Sequence, residues 1–172
     1  EHKYNDAGHA IHSAILMARP DVNVVLHSHT RAGMTVSCMQ CGLLPLTQQA
    51  SEVMDNLCYH DYDIAVGAED ECERLGRDIG DKHAMIMHNH GLLTCASTVA
   101  EAFYQMYILE NACKVQVDAM ASGADLHHTK ESAAKMLRDY GRVKPNKPSR
   151  SSRLAWPALL RMLDRQDDSY RS

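Results

Sequence analysis

Apolar and polar residues alternate along the chain with two periods, one typical of helices and one typical of interior strands. Residues 9–19 carry an apolar stripe at helical spacing, and Pro20 ends this helix because the residue before a proline disfavours the helical region. The β-branched run at 22–29 and the apolar run at 83–91 predict buried strands. The same patterns predict a strand at 58–66 and helices at 31–39, 47–55, 68–79, 127–138 and 154–166.

A longer helix is predicted to begin after Thr98. The segment Thr98-Val99-Ala100-Glu101 has the form of a capping box, in which Thr accepts from the Glu amide and Glu bonds back to the Thr amide. The helix then continues to Gly123, over about 35 Å at the usual rise per residue. Its predicted core face consists of Phe103, Met106, Tyr107, Leu109, Ala112, Cys113 and Val117.

The C-terminal part of the chain differs in composition. Residues 142–153 are polar and contain proline, which predicts an extended linker. The helix after it carries an apolar cluster that needs a surface to pack on, in the same chain or in a second copy: Trp156, Leu159, Leu160 and Leu163. We therefore predict a domain at 1–141, a linker and C-terminal amphipathic tail at 142–172, and a homo-oligomer.

Composition narrows the class of protein. A length of 172 residues suits one domain, and a net charge of −4 gives no basic field for nucleic acid or an anionic membrane. The six Cys are irregularly spaced, which predicts reduced thiols. With no apolar stretch of membrane-spanning length and no signal peptide, we expect a cytoplasmic protein; the start at Glu1 suggests part of a longer one.

Histidine is unusually frequent, with 11 His against one Phe and one Trp. One predicted strand ends in His27-Ser28-His29 and another in His88-Asn89-His90-Gly91. These residues are either ordinary half-buried histidines or ligands that converge on one ion. If the two strand ends are adjacent in one sheet, three imidazoles can bind a zinc-type ion and leave a position open, as catalytic sites do. Gly91 lets the chain turn sharply beside such a site.

Several segments resemble the class II aldolase/adducin family, most closely its bacterial adducin-like members of unassigned substrate. The resemblance implies a three-layer α/β/α fold, with a mixed, mostly antiparallel central sheet, usually assembled as a tetramer with active sites at subunit contacts. It also implies that His27, His29 and His90 bind zinc or another divalent metal ion. The matching segments are NDAGHAIHSAILMARPDVNVVLHSHTRAG, CGLLPLTQ, HNHGLLTCASTVAEAFYQMYILENACKVQ and WPALLRMLDRQDDSYR.

The sequence departs from the family at one position that matters for catalysis. The family's aldolases carry an acidic metal ligand and acid/base four residues before the histidine that matches His12, where this chain has Gly8. The nearest carboxylate, Asp6, has the sequence context of a turn residue. We expect His12 to be hydrogen-bonded near the site rather than a ligand. The family's N-terminal phosphate-binding segment is not in this sequence, so no phosphorylated substrate is inferred.

Three functions remain open from the sequence. The first is a divalent-metal-dependent lyase of the class II aldolase type, which cleaves a small hydroxy-keto substrate through an enediolate and whose proton-transfer residue is unidentified. The second is a non-catalytic, adducin-like binding or scaffold module, which Gly8 favours. The third is a related metal-dependent decarboxylase or dehydratase. The expected partners are a small-molecule substrate and further copies of the chain as a tetramer, without nucleic acid or membrane.

Overall fold

The computed structural model describes residues 5–63, 68–143 and 149–171. Within these residues, helices and strands are interspersed up to residue 96, and only helices follow. The elements in chain order are α1 Asp6–Ala18, β1 Val24–Ser28, α2 Arg31–Ser37, α3 Gln48–Val53, β2 Leu57–His60, α4 Ala68–Ile79, β3 Ala84–Met87, β4 Gly91–Ala96, α5 Val99–Ala121, α6 Glu131–Gly141 and α7 Arg150–Gln166.

The described strands form one four-stranded sheet in the order β1-β4-β3-β2. β4 pairs antiparallel with both β1 and β3, whereas β2 and β3 are parallel. The predicted α/β class with a mixed, mostly antiparallel sheet is therefore confirmed.

Helices cover both faces of the sheet, because alternate strand residues point to opposite sides. Met85, Met87 and Leu93 pack with apolar residues of α1 and α4 on one face. Ile86 and Leu92 pack with α2, α3 and α5 on the other. These two clusters are the cores of a three-layer arrangement.

Three strand predictions were wrong in detail. The run at 83–91 is not one strand but β3, a turn at 88–90 and the start of β4, which was not predicted. The run at 22–29 yields a strand only at Val24–Ser28, and the run at 58–66 yields Leu57–His60, with 64–66 outside the described residues. Because Asn89 has a φ of 55°, a conformation that Asn tolerates better than most residues, the chain reverses there.

The helix α5 begins as predicted, but only half of the capping box forms. Thr98 accepts from the Glu101 amide at 3.3 Å. The buried Glu101 carboxylate instead accepts from the Ser149 amide at 2.9 Å and from the Ser152 hydroxyl at 2.5 Å. Glu101 thus fixes the first turn of α7 to the start of α5.

The C-terminal helix α7 packs on α5 of its own chain. The rings of Phe103 and Trp156 meet edge to face, with centroids 5.5 Å apart. Phe103 and Tyr107, predicted as core residues, are 38% and 54% exposed and lie beside α7. Among the described helices, none is long and apolar enough to cross a membrane.

Candidate metal centre

The strand β1 delivers the first two histidines to one side of the sheet. His27 lies in β1 opposite Leu93 of β4, and Ser28 is the last strand residue. Side chains alternate between the two faces, so His27 shares the face of Val25, which packs with α1 and α4. His29 follows just beyond the strand and points back beside His27.

The third histidine, His90, reaches the same place from a turn rather than from a strand end. It precedes Gly91, the first residue of β4. The apolar run at 84–87, which forms β3, is not the neighbour of β1, because β4 lies between these two strands. Since β1 and β4 are antiparallel, the end of β1 nevertheless lies beside the start of β4.

The three histidines form a compact group, which we call the three-histidine cluster (His27, His29, His90). Their ring centroids are 4.6–4.8 Å apart. One ring nitrogen from each lies within 4.8 Å of the others. His27 and His90 are half-buried and His29 is exposed, so the cluster opens to solvent on one side.

The hydrogen bonds of His27 define its tautomer. Its Nδ1 lies 2.9 Å from the Leu92 carbonyl oxygen, which can only accept. Nδ1 therefore carries the proton and Nε2 presents a lone pair in the neutral ring. That Nε2 lies 2.8 Å from His29 Nε2, inside the cluster. A carbonyl behind a histidine in this way is the usual support of a metal ligand.

His90 has a buried nitrogen without a partner. Its Nδ1 is shielded from solvent and makes no hydrogen bond within the described residues. Burial, followed by the charges of His27 and His29, lowers the pKa of His90 to about 4. Burial likewise lowers the pKa of His27, assisted by His29 and His12 and opposed by the bond to Leu92. At neutral pH these two rings are uncharged, which is the form that binds metals.

Glycine at position 91 is required by close packing rather than by a turn. A Cβ at Gly91 would overlap the Ser28 carbonyl oxygen and lie 3.1 Å from the His29 ring. The sharp turn predicted for Gly91 is made instead by Asn89, which has the positive φ. Gly91 therefore allows the two segments that carry the histidines to touch.

These observations fit a divalent ion of the zinc type. Ligands around a tetrahedral zinc lie about 3.3 Å apart, which falls between the shortest separation in the cluster, 2.8 Å, and its upper limit of 4.8 Å. Imidazole nitrogens are ligands that zinc prefers, and three of them leave one position for water or substrate. The buried Nδ1 of His90 has no hydrogen-bond partner among the described residues, so none of them competes with an ion for it.

The other residues singled out in the sequence lie at various distances from this cluster. His12, half-buried on α1, is near enough to His27 for its charge to lower the pKa of that ring. Gly8 precedes it by one helical turn on the same side of α1. The side chain of Asp6 is outside the described residues. His88 turns away towards Tyr59, with ring centroids 5.5 Å apart.

Two features near the cluster were not predicted. The ring of Tyr62 packs on His90, with centroids 4.0 Å apart. Beyond it, the buried His60 lies between two carboxylates, with Nε2 2.9 Å from Glu71 and Nδ1 2.8 Å from Asp78. We call these three residues, with Arg74 on Glu71 at 2.8 Å, the His60 network. No sequence spacing indicates the contacts of Tyr62 and His60, because they join separate parts of the chain; only Arg74 and Glu71 are neighbours on one helix, at i,i+3.

The fold and the cluster define a class of protein, an α/β protein with a three-histidine site beside its sheet, and comparison with known proteins identifies the family. The model of the Class II Aldolase and Adducin N-terminal domain matches residues 1–117. A Pseudomonas aeruginosa protein, provisionally named an aldolase class 2 protein, is 44% identical over 171 residues, 99% of this chain and 66% of that protein. The chain belongs to the class II aldolase/adducin family, as its motifs predict.

Solved structures and a eukaryotic relative extend this result. An aldolase II superfamily protein from Pseudomonas syringae has a TM-score of 0.88 and 38% identity, covering 96% of this chain and 66% of that one. L-fuculose 1-phosphate aldolase from Glaciozyma antarctica PI12 has a TM-score of 0.75 and 25% identity. The match covers 94% of this chain and 61% of that one. Alpha-adducin of Mus musculus is 42% identical over 119 residues, 69% of this chain and 16% of adducin. The chain thus spans just under two thirds of these bacterial relatives.

Proposed function

We propose that the chain is the catalytic domain of a divalent-metal-dependent lyase of the class II aldolase type, which cleaves a small hydroxy-keto substrate. The observation that carries this proposal is the three-histidine cluster with its unpaired buried nitrogen on His90. Similarity to an L-fuculose 1-phosphate aldolase supports the reaction class. Zinc or another divalent ion is the proposed cofactor, and the site residues are His27, His29 and His90.

The residues of the chain have separate tasks in this proposal. His27, His29 and His90 would hold a divalent ion, which would supply Lewis-acid polarisation of substrate oxygens and stabilisation of negative charge that develops on them. Leu92 holds the His27 proton on Nδ1, so that Nε2 stays available as a ligand. Tyr62 covers one face of His90 and excludes water from it. The exposed side at His29 is where a substrate enters.

The residue that transfers the proton is not among these groups. Gly8 stands where the family's aldolases place their acid/base, so we expect metal binding with slow aldol cleavage. General acid–base groups contribute about 10²- to 10⁴-fold in rate.

A second candidate is an adducin-like binding module that keeps the fold without turnover. Gly8 and the 42% identity to alpha-adducin favour it. The intact cluster favours the enzyme, because a scaffold has no need of three ligands around an open position. A related decarboxylase or dehydratase would use the same cluster.

Metal analysis combined with a substrate screen tests the proposal. The purified chain should contain about one zinc-like ion, and His90→Ala should remove it, because two imidazoles form a poor chelate. A retro-aldol screen over hydroxy-keto acids and sugar phosphates should then find cleavage that needs the ion. A wild type without bound metal contradicts the metal site, whereas bound metal without any cleavage favours the scaffold.

A homo-oligomer, in the form of a tetramer, and a cytoplasmic location are also proposed. The helix α7 leaves Leu154, Met162 and Leu163 exposed even though it packs on α5, and such a surface is suited to a second copy. Light scattering at micromolar concentration tests this, and a monomer contradicts it. The boundary at 141 and the separate C-terminal tail remain predictions.

A further inference from the structure

The two residues that alternate with the cluster's first two histidines are both held by one helix on the opposite side of the sheet. Ser28 donates from its hydroxyl to the sulfur of Met106 at 3.4 Å. Thr30 donates from its hydroxyl to Glu110 Oε2 at 2.5 Å. Met106 and Glu110 are one turn apart on α5, so they lie on the same face of that helix.

This arrangement follows from the alternation of an extended chain. Ser28 and Thr30 point towards α5, and His27 and His29 therefore point away from it, towards α1. A movement of the segment 28–30 relative to the rest of β1 would carry His29 with it and so change the separation of the two imidazoles. That separation, 2.8 Å between the Nε2 atoms, is the part of the cluster that determines how it can hold an ion.

The side chain of Thr30 gives up a local hydrogen bond to make this contact. Thr30 is the N-cap residue of α2, a position where a Thr oxygen usually accepts from an amide of the first turn. No such cap bond forms here. The hydroxyl instead bonds to a residue 80 positions later in the chain.

Glu110 is itself held in place on α5. Its side chain is only 12% exposed, and its second oxygen, Oε1, faces the Lys114 ammonium at 3.5 Å. Gly33 leaves room on the other side of Thr30, because a Cβ there would lie 2.8 Å from the Thr30 hydroxyl and 2.6 Å from Leu92. The carboxylate thus has a partner for each oxygen, and the pocket around Thr30 is closely packed.

We infer that Glu110 is a positioning residue, which acts through Thr30 to set the separation of His27 and His29 for metal binding. This inference rests on the proposed metal site and assigns Glu110 no contact with the ion or the substrate. Mutation of a residue that supports a metal ligand typically weakens metal binding by about 10- to 100-fold. The same range is expected for loss of the Thr30–Glu110 bond.

Matched variants on both sides of the bond test the inference. Thr30→Val keeps the shape and removes the hydroxyl, and Thr30→Ser keeps the hydroxyl. Glu110→Ala removes the acceptor, and Glu110→Gln retains one. For each variant, the Zn²⁺ dissociation constant is measured by competition with a chromogenic chelator, together with the visible absorption of the Co²⁺-loaded protein and the thermal midpoint of the metal-free protein.

Thr30→Val and Glu110→Ala should each weaken Zn²⁺ binding by about 10- to 100-fold and change the Co²⁺ spectrum. Thr30→Ser and Glu110→Gln should stay near wild type. The double variant Thr30→Val/Glu110→Ala should be no weaker than the weaker single variant, because both remove the same contact. If either single variant is too unstable to isolate, the other member of the pair and the two conservative variants give the same comparison.

Three results would overturn the inference, each in a different way. A lower thermal midpoint with unchanged Zn²⁺ affinity and Co²⁺ spectrum would give Thr30 and Glu110 a purely structural role. Independent effects that multiply in the double variant would show that they do not act through one contact. A wild type that binds neither Zn²⁺ nor Co²⁺ would overturn the proposed metal site itself.

Discussion

Histidine occurs in two neighbouring groups of residues, the His60 network and the three-histidine cluster, and these groups are built in opposite ways. In the His60 network, a single buried ring has a carboxylate at each nitrogen, and Glu71 is further paired with Arg74. In the three-histidine cluster, no carboxylate takes part, and the buried Nδ1 of His90 has no partner among the described residues. In the first group, other residues of the protein supply a partner for each ring nitrogen. In the second group, one buried nitrogen has no such partner among the described residues.

This difference separates a structural role from a binding role. Buried polar atoms are nearly always hydrogen-bonded, so an unpaired one is open to a partner that the protein itself does not supply, such as a water or an ion. A histidine between two carboxylates has both ring nitrogens engaged and offers none to an ion. Tyr62 packs on His90, and the charge of Glu71 raises the pKa of His90 against the larger effect of burial, so the two groups are close together. The two groups are therefore neighbours with separate functions.

The largest expected effect on stability belongs to the His60 network. His60→Ala removes the partner of Glu71 and Asp78 and leaves a buried carboxylate short of one contact. The free energy of unfolding should fall by about 3 kcal/mol, measured by urea denaturation of the metal-free protein. His90→Ala is the control, and its loss should stay within about 1 kcal/mol because Nδ1 has no hydrogen bond to lose. Equal losses of unfolding free energy in His60→Ala and His90→Ala would contradict this difference between the two groups.

The next effect concerns stabilisation by the ion. An ion that binds only the folded chain stabilises it by about 2.7 kcal/mol at 100 times the dissociation constant. Zn²⁺ should therefore raise the unfolding free energy of the wild type by that amount, but not that of His29→Ala. The control is His128→Ala, which alters an exposed histidine after α5 and should respond like the wild type. A Zn²⁺ response in His29→Ala would show that the ion binds elsewhere.

Per pH unit, a smaller effect is expected in the metal-free protein. The folded pKa of His90 is about 4, whereas an unfolded histidine titrates near about 6.5. Between these values the unfolded chain binds a proton that the folded one does not, so stability falls as the pH falls from about 6.5 to about 4. The slope is at most about 1.4 kcal/mol per pH unit for one histidine, and the lowered pKa of His27 acts in the same direction.

Urea denaturation at several pH values checks this prediction. His90→Ala should flatten the dependence of stability on pH, because it removes the group whose pKa differs most between the two states. His128→Ala should leave the dependence as in the wild type. An unchanged slope in His90→Ala would place the titrating group outside the cluster.

The candidate site was predictable to a larger extent than the strands that carry it. The patterns His27-Ser28-His29 and His90-Gly91, with the family resemblance, selected the three histidines that the structure brings together. The strand boundaries behind this prediction were wrong, because β4 was not predicted. The apolar run at 84–87 is followed by His88-Asn89-His90-Gly91, and this pattern does not distinguish a strand that ends in a loop from the first strand of a hairpin.

The surroundings of the site were not predictable for a physical reason. His60 meets Glu71 and Asp78 across two elements, and Thr30 meets a residue 80 positions away. Periodicity indicates which side of an element is buried, but not which polar residues of other elements will face it. Glu101 illustrates this limit, because a local capping pattern was correct for Thr98 while the carboxylate bonded to α7 instead.

The smallest expected change in stability comes from giving the three-histidine cluster the kind of partner that His60 already has. Gly8→Glu places a carboxylate one turn before His12, where the nearest atoms to an added Cβ, those of Asn5, are 3.8 Å away or more. Gly8 lies in the first turn of α1 and has no positive φ, so neither space nor conformation requires glycine. Replacing a helical glycine and adding a negative charge near the helix N-terminus should raise the unfolding free energy by up to about 1 kcal/mol. Gly8→Ala is the control, because it has the same gain in helix propensity and adds no charge.

If Gly8 is the family's acid/base position without its carboxylate, only Gly8→Glu should bind Zn²⁺ more tightly and cleave aldol substrates faster than the wild type. A wild type that already turns over at an ordinary enzymatic rate, with no gain in Gly8→Glu, would show that another residue transfers the proton.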